Sequence, residues 1–164
     1  CFLQCSESIN KFLFFYLGWR LSSHRLMKEF LDEMLGKPAG INKFLNLKYL
    51  SSNDDEHYFS VTFDESSMNP RGFVQGGMIT AALDQASSMA FIGNNNGAAA
   101  PLSTDLHTLF HRSLPVGEAN ITVKFIKIGR QIATMEARIF DEDAKLVATL
   151  MHTAVNFSIP KQED

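Results

Sequence analysis

Asp84 stands in the middle of Gly77 to Phe91, GMITAALDQASSMAF, an apolar and alanine-rich run whose composition suits a helix. An ionised carboxylate on such a helix is unfavourable unless something pairs with it or solvates it. At helical spacing Thr80 and Ser88 lie one turn to either side of it, and Ser87 is close by, so a narrow polar stripe runs along an apolar cylinder. A carboxylate so placed can take a proton from water or attack a carbonyl carbon directly. The pair Gly76-Gly77 opens the same helix. Glycines there admit close approach to the backbone, and the first N–H groups of a helix have no partner within it, at the end its dipole makes positive. Attack on a carbonyl puts negative charge on its oxygen, and removing one oxyanion donor typically slows such a reaction by ~10²- to 10³-fold. The Gly76 N–H is the candidate donor. Taken singly, each feature has a plainer explanation: an aspartate can be an ordinary half-exposed helix residue, and a glycine pair can simply allow a tight turn.

The elements that would position these groups follow from the pattern around them. Leu26, Met27, Phe30, Leu31, Met34 and Leu35 recur at helical spacing, and Gly36 with Pro38 supplies a stop. Phe44 to Leu50 and His57 to Phe63 have strand character and flank the turn-forming Ser51 to Asp55, which predicts a hairpin. Asp64 to Gly72, DESSMNPRG, reads as a loop delivering the chain to Gly76. In the helix from Gly77 to Phe91, Ile79, Leu83, Ala86 and Ala90 form the stripe expected to be buried. After a loop at Gly93 to Ala100, four strands are predicted: Ser103 to Arg112, Ala119 to Ile128, Gln131 to Phe140 and Leu146 to Phe157. One central helix followed by successive strands with no helix between them predicts an α+β fold in which an antiparallel sheet wraps the helix.

Composition narrows the chemistry further. The chain has 164 residues, 45% of them hydrophobic, and a formal net charge of −3. That suits one globular domain and leaves no broad basic surface for nucleic acid. Both cysteines, Cys1 and Cys5, lie at the N-terminal end, so no disulfide is expected to cross the core. His107 and His111 share a predicted strand without a further well-placed ligand, so neither a metal nor another cofactor is expected. The apolar run Ile9 to Leu21 is interrupted by Lys11 and Arg20 and is too short to span a bilayer. It has no basic leader or convincing cleavage site, so no membrane association and a cytoplasmic location are the expectations. Met27 begins MKEFLDEMLGK, a plausible start, so residues 1–26 are expected to be an extension and residues 27–164 the single domain.

Together, Asn69, Gln75-Gly76-Gly77, Asp84 and Ser103-Thr104-Asp105 resemble the hotdog-fold acyl-CoA thioesterases of the phenylacetate-pathway, or PaaI-like, type. The family signature resembles N-x5-H-G-G-x6-D. Asn69, Gly76, Gly77 and Asp84 fall into place, whereas Gln75 stands where histidine is usual. Glutamine can donate a hydrogen bond but cannot change charge near neutral pH, so proton transfer at position 75 is excluded. By element order the resemblance spans roughly Phe44 to Phe157.

The resemblance implies a long helix wrapped by an antiparallel sheet, an acyl-CoA substrate, and a homodimer or homotetramer with active sites at subunit interfaces. It implies that Asp84 is nucleophile or general base, that Gly76 N–H polarises the carbonyl, and that Asn69 and Ser103 position water or substrate. Gln75 and Gly77 would line the binding loop. Asp84 and Ser103 would face Asn69 and Gly76 across subunits. Coenzyme A phosphates would need cations, for which Arg112, Lys124, Lys127 and Arg130 are candidates near strand ends. Two alternatives stay open: a non-catalytic acyl-CoA-binding module, which Gln75 would suit, and a hydratase or dehydratase of the same fold. The latter resembles a pattern with a histidine near the helix acid, where this chain has Ser87, Ser88 and Met89.

Overall fold

In the computed structural model the described residues are 25–158, apart from 38–39 and 54–55. The run Ile9 to Leu21 and the proposed extension up to residue 24 lie outside them. Residues 25–36 form helix α1. Its outer face carries the i,i+4 pairs Arg25–Glu29 and Lys28–Asp32, while Leu31 is fully buried and Met27, Met34 and Leu35 pack against the core. Strands β1 (Asn46–Ser52) and β2 (Glu56–Phe63) form the predicted hairpin. Helix α2 (Gly76–Asn94) follows, then β3 (Ala99–Phe110), β4 (Gly117–Ile128), β5 (Ile132–Phe140) and β6 (Leu146–Ser158).

The six strands make one antiparallel sheet in the order β1-β2-β4-β5-β6-β3, so β3 crosses over to the far edge. The sheet wraps α2, whose residues Ile79, Leu83, Ala86 and Ala90 are all buried against it, as their spacing predicted. Ala82, Ala86 and Ala90 on the helix meet a sheet whose inner face carries Ala133 and Ala137 on β5 and Ala148 and Ala154 on β6, all buried. Small residues on both surfaces let a helix lie close to a sheet without voids.

Two of the boundaries differ from expectation for physical reasons. α2 continues to Asn94, and both the backbone N–H and the Nδ2 of Asn95 then donate to the Phe91 carbonyl, closing its last turn. Gly93 is buried inside that turn because α1 docks there: a Cβ on it would lie 3.0 Å from the Leu31 side chain. β3 begins at Ala99 instead of Ser103, since Ala99 and Ala100 pair with Ser158 and Phe157 of β6, and cross-strand pairing overrides weak strand propensity. Pro101 is tolerated within it because β3 is an edge strand.

Candidate active site

The polar stripe of α2 faces β3 and β6. Thr80 meets Thr108 of β3, with their hydroxyls 3.1 Å apart. Two turns further on, the stripe ends on His152 of β6, a residue with no exposed surface. Its Nδ1 lies 2.8 Å from the hydroxyl of Ser87, and its Nε2 lies 2.9 Å from the hydroxyl of Ser103. Ser103 sits at the β-bulge between Ser103 and Asp105, where Thr104 has no partner in the ladder and bonds through its hydroxyl to the Thr153 carbonyl. Bulges re-aim side chains, and this one leaves Ser103 pointing at the imidazole.

Asp84 Oδ1 lies 3.8 Å from His152 Nδ1, beyond hydrogen-bond length, and that oxygen is buried without a hydrogen bond among the described residues. The side chain as a whole is 36% exposed, so the carboxylate is open on its other side. Burial pushes His152 below the ordinary histidine range, with the Asp84 carboxylate pulling the other way. Burial is the stronger effect, so the imidazole is neutral and its contact with Asp84 is no ion pair. The Ser87 hydroxyl has two helix carbonyls in reach, Leu83 at 2.9 Å and Asp84 at 3.0 Å. A helical serine that donates back to such a carbonyl presents its oxygen to its other neighbour, so His152 carries its proton on Nδ1 and accepts at Nε2 from Ser103. The nearby Asp84 carboxylate favours the same tautomer. Ser103 thus stands on the Nε2 side of the ring and Asp84 on the Nδ1 side, each with lone pairs that can accept from water.

The second group of expected residues gathers at the start of α2. Asn69 Oδ1 accepts from the Arg71 N–H at 2.9 Å and more weakly from Phe73 N–H at 3.4 Å, so the loop's own backbone occupies the oxygen. Its Nδ2 has no acceptor among the described residues and is the free donor. Gln75 is the exposed N-cap, held by its N–H to the Ser67 carbonyl, and its own carbonyl accepts from Met78 and Ile79. The N–H groups of Gly76 and Gly77 have no acceptor among the described residues. Gly76 lies under the ring of Phe110: a Cβ on it would be 3.1 Å from that ring, so this glycine answers a packing need as well as a backbone one.

The chain therefore brings Asp84 and Ser103 to the two nitrogens of one imidazole, and Asn69, Gln75, Gly76 and Gly77 together, but keeps the two groups apart. Gly76 and Asp84 are eight positions apart on one helix, about 12 Å at the usual rise per residue. His152 and the role of Ser87 were not read from the sequence. A signal was there: His152 alternates with Ala148, Leu150 and Ala154, which puts a histidine on a face that is otherwise apolar. The candidate phosphate-binding cations are distributed: Arg112 follows β3, Lys124 pairs in register with Glu136, and Lys127 and Arg130 flank the β4–β5 turn. Among the described residues no set of His, Cys, Asp and Glu is grouped to hold a metal.

Residues 71–148 match the model of the thioesterase superfamily. No curated protein sequence matches the chain significantly. Solved structures with the same fold include a thioesterase from Haemophilus influenzae (TM-score 0.74, 18% identity, covering 84% of this chain and 94% of that one). The PaaI protein from the phenylacetic acid degradation operon of Escherichia coli superposes with a TM-score of 0.68 at 16% identity, over 82% of this chain and 94% of its own. A Streptococcus mutans protein bound to acetyl-CoA gives a TM-score of 0.64 at 19% identity, over 71% and 92%.

Proposed function

We propose, from the premise that this hotdog-fold chain belongs to the thioesterase superfamily, that it hydrolyses acyl-CoA thioesters to free CoA and a carboxylic acid. The observation that carries the reading is the Asp84, Ser87, His152 and Ser103 cluster: a half-open carboxylate near one nitrogen of a buried neutral histidine whose other nitrogen orients a serine hydroxyl. Water held between Ser103 and Asp84 attacks the thioester carbonyl carbon as Asp84 takes its proton. The Gly76 N–H, with the free Nδ2 of Asn69, receives the charge that develops on the carbonyl oxygen. The carbon–sulfur bond then breaks, and the thiolate leaves with the proton returned through Asp84 or solvent. Direct attack by Asp84 would instead form a mixed anhydride, and where water then attacks its aspartyl carbonyl, turnover in ¹⁸O-labelled water leaves label on Asp84.

Two copies of the chain complete the site. The 12 Å between Gly76 and Asp84 prevents both from serving one carbonyl within a protomer. β3, which carries Ser103, is an edge strand of the sheet with Leu102, Leu106 and Leu109 exposed, and such an edge pairs readily with a second copy. Residues 27–164 form the working domain. A cytoplasmic setting suits a CoA ester; among the described residues no helix is long and apolar enough to cross a membrane.

Gln75 favours a second reading, a binding module without turnover, because the position usual for histidine has no titratable group. Free-thiol release from a panel of short-, medium- and long-chain, benzoyl- and phenylacetyl-CoAs separates the two. Hydrolysis by the wild type that falls at least ~10²-fold in Asp84→Asn, with binding retained, supports the enzyme. Saturable binding of the same esters without thiol release supports the module.

A further inference from the structure

The ring of Phe110 has no role in the cluster around Asp84, yet it lies against the start of the helix where the proposed oxyanion donor sits. Phe110 pairs in register with Ala148, whose side chain is buried beneath α2, so the ring stands on the helix side of β3. It reaches Gly76 closely enough that a Cβ there would be 3.1 Å from Cζ, and still 52% of the residue is exposed. Gly77, next along the helix and about 100° further round it, is the complementary case. A Cβ on Gly77 would meet nothing within 4 Å, and its backbone does not have a positive φ. Neither crowding nor conformation in the described chain asks for glycine there, although glycine weakens a helix relative to alanine. The bare Cα of Gly77 therefore keeps a lane clear beside an exposed aromatic wall. Phe73 and Met68, both exposed, flank the same loop.

We infer that Phe110 is a specificity-determining residue, its ring forming the wall along which the first carbons of the acyl group lie as they cross Gly77. The inference rests on the thioesterase reading for the identity of the ligand. A carbonyl oxygen bound at Gly76 N–H places the carbons next to it within a few ångströms of the ring. The wall offers apolar surface and no hydrogen-bond partner, which suits an acyl chain and not the amide-bearing pantetheine arm. An acetyl group is too short to use it, while each methylene of a longer chain that packs on it gains about 0.8 kcal/mol, or roughly fourfold.

The test compares wild type, Phe110→Ala, Phe110→Leu and Gly77→Ala by kcat/KM for acetyl-, butyryl-, hexanoyl- and phenylacetyl-CoA, and by Kd for S-methyl- and S-hexyl-CoA thioethers, which need no turnover. Phe110→Ala is expected to reduce the preference for hexanoyl over acetyl by about tenfold while acetyl-CoA hydrolysis changes less than about twofold, with Phe110→Leu between. Gly77→Ala is expected to raise Tm by about 2–4 °C and yet weaken binding of S-hexyl-CoA, opposite signs that a purely structural glycine would not give. A parallel loss for every ester, or conversion of Phe110→Ala to monomer by light scattering, overturns the inference, because the ring would then be a structural or interface residue. If the wild type releases no thiol but the thioether affinities follow the expected pattern, the hydrolase reading fails and the acyl wall stands. If neither assay shows a chain-length preference, the wall is overturned whatever the activity.

Discussion

A neutral imidazole between two hydroxyls keeps one donor and one acceptor, and His152 can orient Ser103 as a water acceptor only while it stays neutral. Replacing His152 by alanine empties a fully buried position and takes one partner from each of Ser87 and Ser103, and large-to-small changes in a core cost about 2–5 kcal/mol. That variant should lose stability in urea and, where folded, lose kcat by more than KM changes, since a positioning residue acts on the reacting water. The pH dependence has a definite sign. Burial holds the folded-state pKa of His152 below the ordinary value, so when pH falls below about 6.5 the unfolded chain takes up a proton that the folded chain does not. Stability from this residue is therefore flat above that value and declines as pH falls through the window beneath it. Urea midpoints at pH 8, 6.5 and 5.5 should show a steeper acid decline in the wild type than in His152→Asn. Equal slopes would mean that His152 is not the buried neutral group the geometry requires.

At the scale of elements, the fit of α2 into the sheet depends on alanines that are small on both sides. Ala137 on β5 is fully buried and stands in register with Leu150, which is also buried. Ala137→Leu should destabilise the domain by about 1–3 kcal/mol through overpacking, read as a lower urea midpoint. Arg138→Leu, one residue along and exposed on the opposite face, should shift it by no more than about 0.5 kcal/mol. Much of this architecture was legible in the sequence. The alanine-rich helix and the alternating strands each carry their own period, and the Gly76-Gly77 start and Asp84 lie within one local run. What was not legible depends on register. Ser103 is 49 residues from His152 in sequence, and only the β3–β6 pairing together with the bulge at Thr104 brings them to 2.9 Å. Phe110 against Gly76 has the same origin: nothing local marks a strand-end phenylalanine as the neighbour of a helix-start glycine. Periodicity finds faces, whereas the contacts that build a site come from how the sheet is ordered.

For the molecule as a whole, the decisive question is whether Asp84 and Asn69 serve the same substrate from one chain or from two. Under the proposed mechanism the roughly 12 Å along α2 calls for two, each site taking Asp84, His152 and Ser103 from one protomer and Asn69 and Gly76 from its partner. This arrangement has a consequence that no single-chain site shares. Asp84→Asn and Asn69→Ala alone should each be nearly inactive, because both sites of each dimer lack one component. When the two variants are mixed, unfolded and refolded together, a hybrid dimer has one site with both lesions and one with neither. Random pairing makes about half of the dimers hybrids, so about a quarter of wild-type activity should return. A site within one protomer would give only the mean of the two weak activities. Recovery should also disappear if the variants are mixed without unfolding and do not exchange subunits, which ties the regained activity to the shared interface. A lysine in place of Leu109 on β3, aimed at the same edge, should weaken association and activity together in the wild type. If that variant became monomeric and kept full thiol release, one chain would suffice, and α2 would have to bend or the oxyanion donor would have to lie elsewhere.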